Sequence, residues 1–297
     1  MERINMNNQV SFSRIALGFW RLLDWNFSNE ELANFLDESI ELGITTMDHA
    51  DSYGQYTVEK KFGDALKTRP ELKDRIEIVT KCGLVYKSNK ARVKYYDYSK
   101  DYIINQVNTS LDNFGVEAID TLLLHRPSPI VDPNEVSKAF DELYQSGKVK
   151  SFGVSNHLPE QYRMLKKYLN VPLVTNQIEL SPLNMENLEN GSIDVAMQEN
   201  INPMIWSPLA GGKIFTGNSE KEVRLRNTLD IIRDEIGAND IGEVVFAWIL
   251  AHPSNPIAIT GSGEMRFVKT PVNALKYKLT PEQWFMIWTA VKGHKVP

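Results

Sequence analysis

Short apolar or β-branched runs alternate along the chain with longer stretches of helical period. Eight runs read as strands: 14–17, 44–47, 76–80, 119–124, 149–154, 173–178, 203–206 and 256–259. Between them, apolar positions recur every three or four residues at 31–42, 101–114, 135–144, 160–168, 225–236 and 243–250, the spacing of one helix face. Leu32, Phe35, Leu36 and Ile40 make such a face, as do Ile103, Ile104, Val107, Leu111 and Phe114. Start and stop signals agree with these limits. Ser28 stands three residues before Glu31, and Asp132 precedes Pro133. Gly43, Gly115 and Gly147 follow predicted helix ends. Strand-then-helix units repeat without a linker or a low-complexity tract. That order predicts an α/β chain folded as one (β/α)8 TIM barrel over residues 1–297, and disfavours an open doubly wound sheet. Residues 3–12 alternate around Asn7-Asn8 and read as an N-terminal β-hairpin, a plug for the barrel bottom.

Barrels of this kind carry their chemistry where strands end, at the C-terminal rim. The second predicted strand runs into Asp48, the third into Lys81 and the fourth into His125, with Tyr53 five residues past Asp48. The set has a direct physical sense. A free phenol titrates near 10, roughly three units too high for acid–base work at neutral pH. A lysine ammonium beside it favours phenolate, and a carboxylate holds that ammonium charged. Asp48, Tyr53, Lys81 and His125 are therefore the candidate catalytic residues. The rest of the rim is neutral: Ser155-Asn156, Asn176-Gln177, and Trp206-Ser207-Pro208-Leu209. Such groups suit a planar ring bearing a carboxamide. Gly211 and Lys213 follow the seventh strand, and Gly261-Ser262-Gly263 the eighth, where barrels bind phosphate. Neither a Gly-x-Gly-x-x-Gly fingerprint nor a P-loop occurs.

Composition narrows the setting. A formal net charge of −5, with no basic block, argues against a nucleic-acid partner. No run approaches the length of a membrane helix, and the N-terminus has no apolar leader. The single cysteine, Cys82, cannot pair within the chain, which suits a cytoplasmic location. Beside Lys81 it reads as a small buried filler. His49, His157, His252 and His294 read as structural or exposed, and Trp284, Phe285 and Trp288 as packing. The histidines show no ligand spacing and Gly18-Phe19-Trp20 offers no ligand, so no metal site is expected.

From the segment at Ala16-Leu17-Gly18 to that at Ile259-Thr260-Gly261-Ser262, the chain resembles the aldo-keto reductase family, and within it a bacterial subgroup of unassigned substrate. Asp48, Tyr53, Lys81 and His125 fall on the family's tetrad. Gly153-Val154-Ser155-Asn156, Asn176-Gln177 and Ser207-Pro208-Leu209 match its other segments. The resemblance implies reduction of aldehydes or ketones to alcohols, with NADP(H) preferred, NAD(H) admitted, and Tyr53 as general acid. It implies carboxamide contacts from Ser155, Asn156 and Gln177, and ring stacking on Trp206. Gly18, Phe19, Trp20, Ser207, Pro208, Leu209, Gly211, Lys213, Gly261, Ser262, Gly263 and Arg266 complete the expected cofactor contacts. Trp20, Tyr53 and His125 are expected at a small carbonyl substrate, with Trp25 and Arg126 bounding it. One departure stands out: Phe267 occupies the place of an arginine found in many NADP-preferring members, with Arg266 one position earlier, and Thr270-Pro271 replaces a Glu-Asn pair. The alternative is an NADP-binding regulatory or redox-sensing barrel with little turnover.

Overall fold

The computed structural model describes residues 1–89 and 91–297. Its eight central strands are β1 (Ile15–Gly18), β2 (Thr46–Asp48), β3 (Glu77–Cys82), β4 (Thr121–Leu124), β5 (Phe152–Ser155), β6 (Leu173–Glu179), β7 (Met204–Trp206) and β8 (Ile257–Thr260). Each pairs in parallel with its sequence neighbours, and β8 closes on β1 through Ala258–Ile15, Ile259–Ala16 and Thr260–Leu17. The result is the predicted (β/α)8 barrel. Nearly every side chain of these strands is buried, which explains why they read as apolar runs rather than alternating ones.

The surrounding helices are α1 (Asn29–Glu41), α2 (Val58–Leu66), α3 (Lys100–Phe114), α4 (Pro133–Gln145), α5 (Pro159–Tyr168) and α6 (Ser192–Gln198). They continue as α7 (Glu220–Ile236), α8 (Ile241–Leu250), α9 (Met265–Ala274) and α10 (Pro281–Lys292). The Ser28–Glu31 capping box forms in both directions, and Asp132 caps α4 ahead of Pro133. Gly115 ends α3 in the left-handed conformation. Of these ten helices, α2, α6, α9 and α10 lie outside the six periodic stretches, and for α2 and α9 the reason is identifiable. The N-cap Thr57 of α2 makes no side-chain bond, and α9 carries Pro271 in its interior, which reads as a breaker. The strand placed at 44–47 starts at Thr46 instead, because Ile44 donates to the Ser39 carbonyl and finishes the turn after α1.

The hairpin forms from Arg3–Asn5 and Ser11–Ser13. Its Ile4, Val10 and Phe12 pack with Ala16, Val79, Leu123, Met204 and Ile257 inside the barrel. The bottom is therefore closed by apolar side chains, leaving the opposite rim for chemistry.

The loop that carries Tyr53 is anchored at its far end by α2, which lies hard against α3. A Cβ placed on Gly63 would come within 1.9 Å of the Asn113 carbonyl oxygen. Gly63→Ala must push the two helices apart, a destabilisation of about 1–3 kcal/mol despite the better helix propensity of alanine. Calorimetry should show a melting temperature lower by several degrees; an unchanged one would mean that the helices separate freely.

Candidate active site

Asp48 is the last residue of β2, Lys81 lies one residue before the end of β3, and His125 follows β4 directly. The strand ends and the loop after β2 bring the four sequence-predicted catalytic residues together. Lys81 is 1% exposed, and its ammonium has partners for every proton. It donates to Asp48 Oδ1 and Oδ2 at 2.9 and 3.0 Å, to the His49 carbonyl at 2.7 Å, and to the Tyr53 phenol oxygen at 3.1 Å. Gln177 Nε2 donates to Asp48 Oδ1 at 2.7 Å, so the carboxylate is held from two sides. Because Lys81 donates to the Tyr53 oxygen, the phenol proton is free to point away from the lysine.

Electrostatics sort the groups. Burial alone would lower the Lys81 pKa, but Asp48 and Tyr53 outweigh it and keep the ammonium above the ordinary lysine value. Burial pushes the Tyr53 phenol above its usual value, and Lys81 offsets only part of that. Lysine does lower the phenol, as the sequence argument holds, but burial, which that argument left out, outweighs it. Before any substrate binds, Tyr53 is a protonated, neutral donor. His125 is held far below the ordinary histidine range by burial, then by Lys81, Arg126 and Lys94. It is a neutral imidazole whose ring stands edge-on to Tyr53 at 5.9 Å. Its Nδ1 lies 3.3 Å from Ser52 Oγ. A Ser52 hydroxyl donating there leaves the imidazole proton on Nε2.

Around the other half of the rim runs a chain of side-chain bonds. Trp206 Nε1 donates to Asn156 Oδ1 at 3.0 Å, Asn156 Nδ2 to Ser155 Oγ at 2.8 Å, and Ser155 Oγ to the Gln177 carbonyl at 3.0 Å. Asn156 takes a φ of +58°, a left-handed conformation that asparagine tolerates. The chain fixes the plane of Trp206. Gln177 Oε1 and the second Asn156 N–H have no partner among the described residues, and one acceptor with one donor is what a carboxamide requires.

The remaining predicted contacts divide. Gly211 and Gly212 turn with φ of +64° and +95°, and Lys213 is exposed beside them. Gly261 lies by the Gly18 carbonyl, and Ser262 receives the Glu264 N–H. Trp20 is 64% exposed at the mouth. Phe19 does not reach the rim. Its ring is buried, stacked on His49 at 4.4 Å and edge-on to Phe62, so only its backbone is at the site, its N–H donating to the Asp48 carbonyl. Pro208 is buried and Leu209 packs into the core. Gly263 lies under Trp25, whose ring a Cβ would meet at 2.5 Å; this glycine serves packing. Arg266 is exposed and paired with Glu264 at 2.7 Å.

Several residues at the site carried no sequence signal for their role. Ser52 is one. Asp51 is another: its N–H donates to the Lys81 carbonyl and its Oδ2 accepts from Gln106 at 2.8 Å, while Oδ1 has no partner. Burial, with the nearby Glu59 adding to it, raises the Asp51 carboxyl to about 7. His49 is likewise enclosed, between Phe19, Phe62 and Phe114, with both ring nitrogens unpartnered.

The rim thus joins a lysine-held tyrosine to a neutral wall of amide and indole groups. Residues 14–291 match the aldo/keto reductase family, and the chain belongs to that family. It is 48% identical over its full length to the whole of an uncharacterized oxidoreductase, YcsN, of Bacillus subtilis. It is 38% identical, again over the full length of both chains, to a 6-dehydroglucose reductase of Agrobacterium fabrum. The fold is shared with the solved holo form of the aldo-keto reductase AKR11C1 from Bacillus halodurans, at a TM-score of 0.81 and 23% identity, covering 100% of this chain and 98% of that one. The family assignment makes the chain an oxidoreductase of a group that acts on carbonyl compounds and generally uses nicotinamide cofactors.

The raised Asp51 pKa sets a pH-dependent cost. The unfolded chain releases this proton near pH 4, the folded one only near 7, so the group destabilises the fold progressively across that window and fully above it. Asp51→Asn should raise stability at pH 8 by on the order of a few kcal/mol, read as a higher melting temperature, and change little near pH 4. A gain that is equal at both pH values would show that Asp51 is not the titrating group.

Proposed function

We propose that this chain reduces aldehydes or ketones to alcohols with NADPH, Tyr53 acting as the general acid. The observation that carries the reading is the 3.1 Å bond from Lys81 to the Tyr53 oxygen, with Asp48 and the His49 carbonyl taking the other lysine protons. That arrangement leaves the phenol proton for a substrate oxygen. It also places an ammonium where the phenolate forms, so charge developing in the transition state meets a preorganised cation. A neutral His125 donates from Nε2 to the same oxygen. A small carbonyl compound is the substrate, and the chain works as one barrel unit in the cytoplasm.

The rim fits a dinucleotide. Trp206 offers a ring face held in plane by Asn156, and Gln177 and Asn156 retain the acceptor and donor for a carboxamide. A reduced nicotinamide bound there supplies the hydride. The start of α9 has no side-chain cap, which leaves helix N-terminal amides for a phosphate. Arg266 stands in that first turn. Its exposed ion pair with Glu264 is worth little, so a 2′-phosphate can compete for the guanidinium. Glu264 itself opposes a second negative charge, and Phe267 adds none of the missing positive charge. NADPH is therefore preferred over NADH by a reduced margin.

Tyr53→Phe should lower kcat for a reactive aldehyde by at least about a hundredfold while leaving cofactor affinity nearly unchanged. Near-normal kcat would remove Tyr53 as the acid. Lys81→Met should also abolish most turnover and lower stability by about 3–5 kcal/mol, since it strands the buried Asp48 carboxylate. A folded, fully active Lys81→Met protein with an unchanged pH profile would refute the lysine's part. Quenching of Trp206 fluorescence should report tighter binding of NADPH than of NADH, with the margin narrowed in Arg266→Ala. Equal affinities in the unaltered chain would overturn the preference.

A further inference from the structure

The substrate side of the rim carries two cations without an acidic partner. Arg126 follows His125, is half-buried, and lies over the Trp206 ring at 5.6 Å. Lys94 lies over the Tyr86 ring at 5.4 Å, in the short hairpin loop between β3 and α3. Neither makes an ion pair among the described residues. Arg126 is the residue directly after His125, which puts its charge at the rim beside the imidazole, and both cations help to hold His125 below the ordinary histidine range. Glu179, at the end of β6, feels Arg126 but is not bonded to it; burial raises its carboxyl.

Arg126 is also mounted with care. The buried Tyr98 phenol donates to the Arg126 carbonyl at 2.5 Å and accepts from the Arg126 N–H at 3.0 Å. Tyr98 reaches that place across Gly83, where a Cβ would strike the Tyr98 ring at 1.9 Å. Two bonds from one buried side chain fix the backbone from which the Arg126 side chain leaves. The groups that suit cofactor phosphates, Lys213 and Arg266, lie elsewhere, after β7 and β8.

We propose that the substrate of this site is a carbonyl compound bearing an anionic group, carboxylate or phosphate, which Arg126 binds directly and Lys94 attracts. Arg126 is then a specificity-determining residue. A half-buried guanidinium with no carboxylate gains most from an anion, because charge-assisted bonds are the strong ones. The inference rests on the carbonyl-reductase reading above.

The test compares kcat/KM, with NADPH, for matched pairs: D-glyceraldehyde against D-glyceraldehyde 3-phosphate, and methyl 4-formylbenzoate against 4-carboxybenzaldehyde. The anionic member should be favoured about tenfold or more in at least one pair, the scale of one charge-assisted bond. The two pairs also separate phosphate from carboxylate. Arg126→Met should erase the preference without changing the dissociation constant for NADPH. Lys94→Met, an exposed change that leaves the fold intact, should lower kcat/KM for the anionic member and flatten its salt dependence. Equal rates on both members by the unaltered chain would overturn the proposal and leave the reductase reading standing. Weakened NADPH binding in Arg126→Met would assign the arginine to the cofactor and likewise overturn it. No turnover of any aldehyde, in a chain that binds NADPH, would be a failure of the reductase reading itself.

Discussion

The site is organised around a buried ion pair. An ammonium and a carboxylate removed from water each carry a desolvation penalty of several kcal/mol, which their attraction offsets only with good geometry and further hydrogen bonds. Lys81 and Asp48 meet that condition through the His49 carbonyl, the Tyr53 phenol and the Gln177 amide. Two of these partners, His49 and Tyr53, come from the loop after β2, and the third, Gln177, comes from β6. The loop after β2 must bring Tyr53 back towards β3, and β6 must point Gln177 across the barrel. The pair thus ties the two halves of the rim together, the ionisable side and the neutral side. Burial holds the proton on the Tyr53 phenol, and the neighbouring ammonium offsets part of that rise.

Most of the architecture was legible because parallel barrel strands are buried on both faces and so appear as continuous apolar runs separated by amphipathic helices. Boundaries drifted where local hydrogen bonds intervened, as at Ile44. Helix α9 was hidden because a proline in the interior is read as a stop, although tertiary packing carries the helix through it. Asp48, Tyr53, Lys81 and His125 could be picked out because the rule that chemistry gathers at strand ends turns sequence position into spatial proximity. Phe19 shows the limit of that rule. It sits next to the rim in sequence, yet its ring turns inward to cover His49. The Asn156 link to Trp206 spans fifty residues and leaves no trace in local pattern. Nor does Ser52 beside His125, since a serine in a loop has many possible partners.

The barrel also separates tasks by end. At the bottom, Ile4, Val10 and Phe12 of the hairpin close the interior with apolar contacts. At the top, polar side chains are buried but bonded. Asp51 and His49 are exceptions, each with unpartnered atoms just beneath the catalytic layer. They mark where the stability of the fold has been spent on the surroundings of the lysine.

The grip of Tyr98 on position 126 uses only main-chain atoms. Any amino acid other than proline would present the same N–H and carbonyl to that phenol. The side chain at 126 is therefore exchangeable while its mounting is not. A single codon change there can replace the guanidinium without disturbing the histidine one residue earlier, so descendants of such a barrel can vary the rim beside His125 while the buried Lys81–Asp48 pair stays put.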